Sequence, residues 1–365
     1  MPSSNQRRLL PLFSVLIGGF LLISLACVST ANPGSTPEIT GSPPPTPVTP
    51  PSWYAVYFTD PSGSNSQTLL SGPDRDLASA IGAARVSVDI AVLHLNLWSI
   101  RNALIDAYHR GVSVRVVVDS DYLDEDEIQD LIEAGIAILG DRSGGTMHNK
   151  FAVIDRKQIW TGSMNYTVSD TYWSHNNLLR IDSPELAENY TYEFEEMFLD
   201  DRFGIGSPAN TPHPVVKVQG VSIENCFAPD DGCQTLLTDL IKSARKSIQF
   251  LAFSFTSDNL ASAMLERAEA GVSVSGVFDK GQYYSNRGTV FDKLRSANLD
   301  VYLNDDSYNM HNKVIIIDDR IVVTGSYNFT YFAENRNDEN VLIIHSPEIA
   351  GLYQIEFLDV FDQSQ

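Results

Sequence analysis

The chain has 365 residues, which is enough for one large domain or two medium ones with a substantial hydrophobic core. Hydrophobic residues make up 43% of the sequence and charged residues 19%, values typical of a folded globular protein, so a largely disordered chain is excluded. A formal net charge of -21 argues against an extended groove for nucleic acid, because an acidic protein repels polyanions at long range.

The first 27 residues have the features of an export signal. Arg7 and Arg8 precede an apolar run over residues 9–26, which ends in small residues before Cys27. This end resembles a bacterial lipobox, whose cysteine is lipidated, although Ser24 stands where that pattern usually has Leu. A lipid anchor at Cys27, a plain membrane anchor and free secretion all stay open. In each case we expect the protein outside the cytoplasm, in the bacterial cell envelope or the medium.

Residues 28–52 are dominated by Ser, Thr and Pro, a composition that cannot bury a core and that favours extended conformations. This segment is predicted to be a spacer between the membrane and the folded part. The two remaining cysteines, Cys226 and Cys233, flank a short loop. In an oxidising compartment they could close a local disulfide bond. We prefer this interpretation to a metal site, because zinc would need more ligands than the pair provides.

From Trp53 onward the chain contains one long repeat in two copies. The run Gly111–Val114 recurs as Gly271–Val274, and Met147–Lys150 recurs as Met310–Lys313. The period is far longer than that of a solenoid. Each copy is therefore predicted to be a half-domain, over residues 53–205 and 221–365, with a linker at residues 206–220.

Helices and strands are predicted to alternate in both copies. In the first copy we expect helices at 76–84, 99–110 and 184–198 and strands at 86–95 and 113–119. In the second copy we expect helices at 236–244, 260–270 and 347–361 and strands at 247–255 and 273–279. This order predicts an α/β protein in which each half is a mixed β-sheet flanked by helices.

Each copy also carries the pattern H-x-K-x-x-x-x-D, followed by Gly-Ser-x-Asn. The residues are His148, Lys150, Asp155, Gly162, Ser163 and Asn165 in the first copy and His311, Lys313, Asp318, Gly325, Ser326 and Asn328 in the second. Each His-x-Lys opens an apolar strand, in which side chains two apart share a face, so each His and Lys should project together. The aspartates face the opposite side. We interpret them as structural residues that hold the turn into the next strand, and the two serines as structural parts of the motif.

These paired motifs resemble those of the phospholipase D superfamily, over nearly the whole chain from Trp53. The resemblance implies two tandem phospholipase D-like half-domains, related by a pseudo-twofold axis, with one shared active site. It also implies that the lysines and asparagines offset the phosphoryl charge, while one histidine forms a phosphohistidine and the other protonates the leaving alcohol. Neither a metal ion nor a cofactor is expected. The stretch Asn337–Asn340 is similar to a bacterial endonuclease of the same superfamily.

The two copies differ at one position that bears on the mechanism. Glu339 follows the second motif, and its equivalent in the first copy is Asn176. Family members have an acidic residue near here that contacts the histidine. A carboxylate beside His311 would favour the imidazolium form of that residue. This predicts His148 as the nucleophile, His311 as the general acid and Glu339 as part of the catalytic site.

The predicted function is a metal-independent phosphodiester hydrolase that acts as a monomer. Phospholipid headgroups are the preferred substrate, because an exported protein with an N-terminal anchor would work at a membrane surface. Three alternatives stay open. They are a nuclease of the same superfamily acting on DNA or RNA, a phosphatidyl transferase similar to cardiolipin synthase, and an envelope binding protein without turnover.

Overall fold

The computed structural model describes residues 53–142 and 144–365, which belong to one unit. The predicted signal at residues 1–27, with Cys27, and the predicted spacer at 28–52 lie outside the described residues. Within the described part of the chain, no helix has the length and apolar character needed to cross a membrane.

Strands and helices alternate through the first half. Its strands are β1 (Tyr54–Phe58), β2 (Ser87–Val92), β3 (Ser113–Val118), β4 (Ala137–Gly140), β5 (Lys150–Ile154), β6 (Gln158–Gly162), β7 (Ser174–His175) and β8 (Asn177–Asp182). Its helices are α1 (Ser64–Thr68), α2 (Asp74–Ala83), α3 (Trp98–His109), α4 (Asp126–Glu133), α5 (Val168–Tyr172) and α6 (Pro184–Phe198).

The second half follows the same order. Its strands are β9 (Val215–Val218), β10 (Val221–Ala228), β11 (Ser247–Ala252), β12 (Ser273–Phe278), β13 (Asp300–Leu303), β14 (Asn309–Met310), β15 (Lys313–Ile317), β16 (Ile321–Gly325) and β17 (Glu339–His345). Its helices are α7 (Cys233–Lys242), α8 (Asp258–Glu269), α9 (Lys280–Ser285), α10 (Phe291–Ser296), α11 (Tyr331–Asn335) and α12 (Pro347–Gln363).

Each half is built on a mixed sheet, and this confirms the predicted fold class. The strand order is β1-β8-β6-β5-β2-β3-β4 in the first sheet and β13-β12-β11-β15-β16-β17-β10-β9 in the second. In both sheets the strand that starts with the motif lysine, β5 or β15, lies in the middle and runs antiparallel to its neighbours. The two motif strands are therefore buried on both faces.

The predicted linker at residues 206–220 is wrong in its last part, because residues 215–218 form the edge strand β9. This strand pairs antiparallel with β10 in the second sheet. Its burial alternates, with Val216 and Val218 inside and Val215 and Lys217 outside, as expected for a half-buried strand. The neighbouring Pro214 and Gly220 are turn residues, and they concealed this short strand in the sequence.

The helices α6 and α12 lie between the two sheets. One hydrophobic core contains residues of both sheets together with Tyr190 and Phe194 of α6 and Tyr353 and Phe357 of α12. Two further cores lie on the outer faces, where α2 and α3 cover the first sheet and α7 and α8 cover the second. The molecule is thus layered helix, sheet, helix, sheet, helix, and the two halves share their central layer.

Repeated Ser-Pro-Glu sequences start these two central helices. The Ser183 hydroxyl accepts a hydrogen bond from the Leu186 N–H, and the Ser346 hydroxyl accepts one from the Ile349 N–H. Proline follows each cap at the first helical position, where its missing N–H costs nothing.

Cys226 and Cys233 form a disulfide bond, which settles the choice that the sequence left open. The bond joins β10 to the start of α7.

Candidate active site

The two halves meet where the motif histidines lie. Across this junction β7 of the first half pairs with β14 of the second, and Met147 forms a bridge with Asp338. The His148 N–H donates to the Asp338 carbonyl at 3.0 Å, and the His311 N–H donates to the His175 carbonyl at 2.9 Å. The backbone of each motif histidine is therefore held by the opposite half of the molecule.

The motif lysines begin the two central strands and are almost fully buried. Lys150 Nζ donates to the His148 carbonyl at 2.9 Å, and Lys313 Nζ donates to the His311 carbonyl at 2.6 Å. Each lysine thus folds back on its own histidine, and the structure brings the His and Lys of each copy together.

Gly162 and Gly325 end strands β6 and β16, three residues before the motif asparagines Asn165 and Asn328, and both have positive φ angles. Their φ angles are +154° and +142°. A Cβ atom on Gly162 would lie 2.3 Å from the Asn177 carbonyl oxygen, and one on Gly325 would lie 2.2 Å from that of Asn340. Only glycine fits at these positions, because any side chain would collide with the neighbouring strand. The following residues then reach the junction, where Asn165 is buried.

The serines of the Gly-Ser-x-Asn motifs position the residues at 176 and 339. Ser163 Oγ donates to Asn176 Oδ1 at 2.8 Å, and Ser326 Oγ donates to Glu339 Oε2 at 2.6 Å. The Ser163 hydroxyl also accepts a hydrogen bond from the Asn177 N–H, and the Ser326 hydroxyl accepts one from the Asn340 N–H, each at 3.0 Å. The serines therefore connect the motif to the side chain that contacts a histidine.

Those contacts cross between the halves, and this corrects the predicted partner of Glu339. Glu339 Oε2 lies 2.8 Å from His148 Nδ1, not beside His311. Asn176 Oδ1 lies 2.9 Å from His311 Nδ1. The prediction failed because it assigned Glu339 to the histidine of its own copy, whereas the start of β17 packs against the first motif. The original reason for making His311 the general acid, a Glu339 carboxylate at its side, is thereby removed.

A reciprocal set of hydrogen bonds surrounds the histidines. Its bonds are Thr161 Oγ1 to Asn340 Oδ1 at 2.7 Å, Asn340 Nδ2 to Asn149 Oδ1 at 2.9 Å, Thr324 Oγ1 to Asn177 Oδ1 at 2.8 Å and Asn177 Nδ2 to Asn312 Oδ1 at 2.7 Å. Each bond joins one half to the other, and each has its counterpart in the exchanged halves. This is a pseudo-twofold arrangement of one site made by two copies.

The motif aspartates hold a different segment from the one predicted. The Asp155 carboxylate accepts hydrogen bonds from the backbone N–H groups of residues 85–87, and Asp318 accepts from those of residues 245–247. Both aspartates lie in the turn after the motif strand, with φ near +54°. They therefore anchor the entry to β2 and β11 rather than the next strand. These backbone N–H groups lower the pKa of both carboxyls despite the opposing effect of burial.

Burial and mutual repulsion lower the pKa values of the four basic side chains at the junction. Burial lowers the pKa of His148, although the Glu339 carboxylate opposes this, and it lowers the pKa of Lys150 to about 8. The pKa values of His311 and Lys313 lie well below their usual ranges, because burial and the neighbouring charge of Lys150 disfavour their charged forms. An anionic ligand between these groups would offset the crowded positive charge.

Two residues of the site were missed in the sequence. Asp170 Oδ2 accepts from the Asn165 N–H at 2.8 Å and lies 3.4 Å from His311 Nδ1. The Phe253 ring packs edge-to-face against the His311 imidazole, with 4.4 Å between the ring centroids, and Lys313 Nζ lies over its face, 4.9 Å from the centroid. Aligning the two copies would have pointed to Asp170, because the second copy has Ala333 at the equivalent position.

Comparisons with known proteins agree with this geometry. The family model described as "Cardiolipin synthase, PLD-like domain" matches residues 77–198 and again residues 237–360. A phospholipase D of Rickettsia bellii is 35% identical over 154 residues, which cover 40% of this chain and 75% of the relative. A mitochondrial cardiolipin hydrolase of Xenopus tropicalis is 37% identical over 117 residues, which cover 32% of this chain and 56% of that relative.

A solved structure has a similar fold over most of this chain. The phosphatidylserine synthase of Haemophilus influenzae superimposes with a TM-score of 0.63, covering 84% of this chain and 86% of that protein. At 15% sequence identity this likeness concerns the fold alone.

Proposed function

The chain belongs to the phospholipase D superfamily, with one PLD-like domain in each half, and we propose that it is a phosphodiester hydrolase that works without a metal ion. The observation that carries the proposal is the crossed pairing of Glu339 with His148 and of Asn176 with His311. Each half supplies one histidine and the group that orients the other histidine. Such an arrangement suits two imidazoles that act in turn on one phosphorus atom.

In the first step Nε2 of His148 attacks phosphorus. The bond from phosphorus to the leaving oxygen breaks, and that oxygen takes a proton from Nε2 of His311, so an alcohol leaves and a phosphohistidine remains. In both histidines Nδ1 is engaged by the opposite half, which leaves Nε2 to face the substrate. Lys150 and Lys313 offset the phosphoryl charge, and the side chains of Asn165 and Asn328 add hydrogen bonds.

In the second step a water molecule attacks phosphorus. His311, now neutral, takes a proton from this water, the nitrogen–phosphorus bond breaks, and the electron pair returns to His148. The product is a phosphomonoester, and both histidines regain their starting states. An alcohol in place of water would give a phosphodiester by the same route, which is the transferase alternative.

The assignment of His148 as the nucleophile now has a different physical basis. Nucleophilic attack leaves positive charge on the imidazole, and the Glu339 carboxylate 2.8 Å away stabilises that charge. The Phe253 ring packs edge-to-face against His311, and burial together with the charges of the two lysines lowers the pKa of His311. A protonated imidazole in such surroundings releases its proton readily, as a general acid must.

Phospholipid headgroups are the proposed substrate. Two relatives are named for phospholipid hydrolysis, as phospholipase D and cardiolipin hydrolase. The net charge of -21 would repel long nucleic acids, and this disfavours a nuclease. We also propose that the N-terminal segment holds the domain at a membrane outside the cytoplasm. Because one chain carries both motifs, a monomer would contain a complete site.

The experiment offers the purified chain three substrates in the presence of a chelator. These are vesicles of phosphatidylcholine with cardiolipin, single-stranded DNA and double-stranded DNA. Headgroup release that H148A and H311A both abolish would support the proposal. Strand scission would assign the nuclease alternative, and binding without product would assign the envelope binding protein. Added glycerol that appears in the product would indicate transfer rather than hydrolysis.

The assignment of the nucleophile has its own test. Quenching turnover with denaturant at alkaline pH, where the phosphorus–nitrogen bond survives, should trap a phosphoryl adduct on His148. An adduct that maps to His311 would reverse the roles of the two histidines.

A further inference from the structure

The two copies distribute their acidic groups unequally around the site. At the position that contacts the opposite histidine the second copy has Glu339 and the first has Asn176. At the position six residues earlier, the first copy has Asp170 on α5 and the second has Ala333 on α11. The first copy therefore lacks a carboxylate at one position and has an additional one at the other.

The extra carboxylate lies next to the histidine that would otherwise lack one. Asp170 Oδ2 is 3.4 Å from His311 Nδ1, and its side chain is largely buried. The Asn176 side chain donates to the Asp170 backbone carbonyl at 3.0 Å, so the two residues form one local unit. Because Asn176 Oδ1 can only accept, His311 carries its hydrogen on Nδ1, on the side of Asp170.

We propose that Asp170 is the positioning residue that provides His311 with a carboxylate partner, in place of the acidic group that is missing at position 176. The inference rests on the proposed function for its consequence, because a carboxylate there makes the imidazolium form of His311 more stable than it would be without that charge, until the leaving oxygen takes the proton. Both histidines then have a carboxylate on the Nδ1 side, supplied from non-equivalent positions of the repeat. Asp170 does not touch the substrate.

The charges that face this pair explain why a carboxylate is needed. Burial is the main effect that disfavours the imidazolium form of His311, and the charges of Lys313, Lys150 and His148 act in the same direction. Burial raises the pKa of Asp170, and the positive charges of Lys150 and Lys313 oppose this effect. Without Asp170, the charged side chains that act on His311 would all be positive, and the Asn176 amide and the Ser163 backbone would be its polar partners.

The test uses the full chain with bis(p-nitrophenyl) phosphate as a simple phosphodiester. The variant D170N keeps an oxygen that can accept from the Asn165 N–H but removes the charge. We expect kcat to fall 10- to 100-fold with KM nearly unchanged, a range typical of groups that orient a catalytic residue. Loss of the carboxylate lowers the pKa of His311, so the basic limb of the kcat–pH profile should move to lower pH.

The chain also offers a rescue. The double variant D170A/N176E reproduces the arrangement of Ala333 and Glu339 in the second half. We expect it to recover at least tenfold in kcat over D170A alone. Wild-type kcat and pH profile in D170N would overturn the proposal. So would a double variant that melts at the wild-type temperature without any recovery.

A second readout does not depend on turnover. Labelled histidine side chains are followed by NMR during a pH titration in inorganic phosphate, with H311A used to assign the His311 signal. We expect the His311 pKa to be lower in D170N than in the wild type, and an unchanged value would overturn the inference. A wild-type chain without activity on any phosphodiester would contradict the proposed function, while this titration would still decide the role of Asp170.

Discussion

Glu339 shows how single side chains connect the fold to the chemistry. Its carboxylate lies between the Ser326 hydroxyl at 2.6 Å and His148 Nδ1 at 2.8 Å. The serine is fixed in turn by the N–H of Asn340. The sequence from Gly325 to Asn340 thus holds an imidazole of the other half in one orientation, with Nε2 directed away from these contacts.

The first prediction concerns this carboxylate. E339Q should lower kcat on a phosphodiester 10- to 100-fold, because the amide can hold the imidazole but cannot stabilise the positive charge that forms on it. S326A should have a smaller effect in the same direction, since it removes one support of Glu339. Steady-state kinetics of both variants measure this. Equal kcat in E339Q and the wild type would contradict the proposed nucleophile.

The second prediction concerns the glycines of the motif. G162A should lower the free energy of unfolding by about 3 kcal/mol, because its Cβ would collide with the Asn177 carbonyl oxygen. G82A is the matched control, since Gly82 lies inside α2 and a Cβ there meets nothing within 4 Å. It should raise the free energy of unfolding by about 0.5–1 kcal/mol. Denaturant titrations in which G82A lowers the free energy of unfolding more than G162A would contradict this packing.

At the scale of residues, the sequence predicted the repeated motif residues but not the contacts that cross between the two copies. His148, Lys150 and their counterparts were found because both copies contain them. The partner of Glu339 was assigned to the wrong half, because sequence distance within one copy does not reveal how two copies cross. Asp170 differs from its counterpart Ala333, but that difference alone does not show that its side chain lies beside His311, which only the contact in space reveals.

At the scale of elements, the turns after the two motif strands are the equivalent anchors of the two sheets. Asp155 and Asp318 each accept from three consecutive backbone N–H groups at the entry to a neighbouring strand. They tie β5 to β2 and β15 to β11 at the end farthest from the histidines. The aspartate, the third residue of the H-K-D pattern, therefore stabilises the sheet and does not take part in the site.

The third prediction follows from this role. D155N and D318N should each lower the free energy of unfolding by about 1 kcal/mol near neutral pH, by weakening charge-assisted hydrogen bonds. The folded state lowers the pKa of both carboxyls. Their contribution is therefore present above the pKa of the unfolded chain, near 4, and is lost as pH falls through the folded value. Denaturation at pH 7 and pH 3 should show a larger cost at pH 7 than at pH 3, with kcat unchanged in both variants.

Element types were easier to predict than element ends. The helix predicted at residues 184–198 has those bounds, because a serine cap, a proline and an apolar stripe all coincide there. The helix predicted at 236–244 starts three residues earlier, at Cys233, where the disulfide bond and Gly232 in left-handed conformation set its beginning. Strand β9 was missed because four residues between turn formers carry little periodicity.

At the scale of the whole molecule, buried acidic groups collect beside the junction of the halves. Burial and neighbouring carboxylates raise the pKa values of Glu193 and Asp338 well above normal, and those of Glu196 and Asp230 to about 7. Glu193 and Glu196 lie on the central helix α6. The shared layer thus holds carboxyls that resist ionisation.

The fourth prediction concerns the pH dependence of stability. A raised pKa means that the folded state keeps the proton longer than the unfolded chain, so each such group destabilises the fold increasingly as pH rises from about 4 to its folded pKa. E196Q removes one of these groups. Its melting temperature relative to the wild type should therefore rise between pH 4.5 and pH 7.5.

The control replaces an exposed carboxylate in the same way. Glu133, which E133Q replaces, is exposed at the end of α4. The substitution should change the melting temperature by a similar small amount at both pH values. A melting temperature of E196Q that falls relative to the wild type with rising pH would contradict the raised pKa.

The unequal placement of acidic groups has a consequence for the gene. A dimer of the first copy alone would carry Asn176 and Asp170 twice and no glutamate at position 339, and a dimer of the second copy would carry Glu339 and Ala333 twice. Neither assembly would reproduce the mixed environment in which His148 and His311 differ. A gene that encoded either copy alone would therefore give a homodimer in which both motif histidines have the same surroundings.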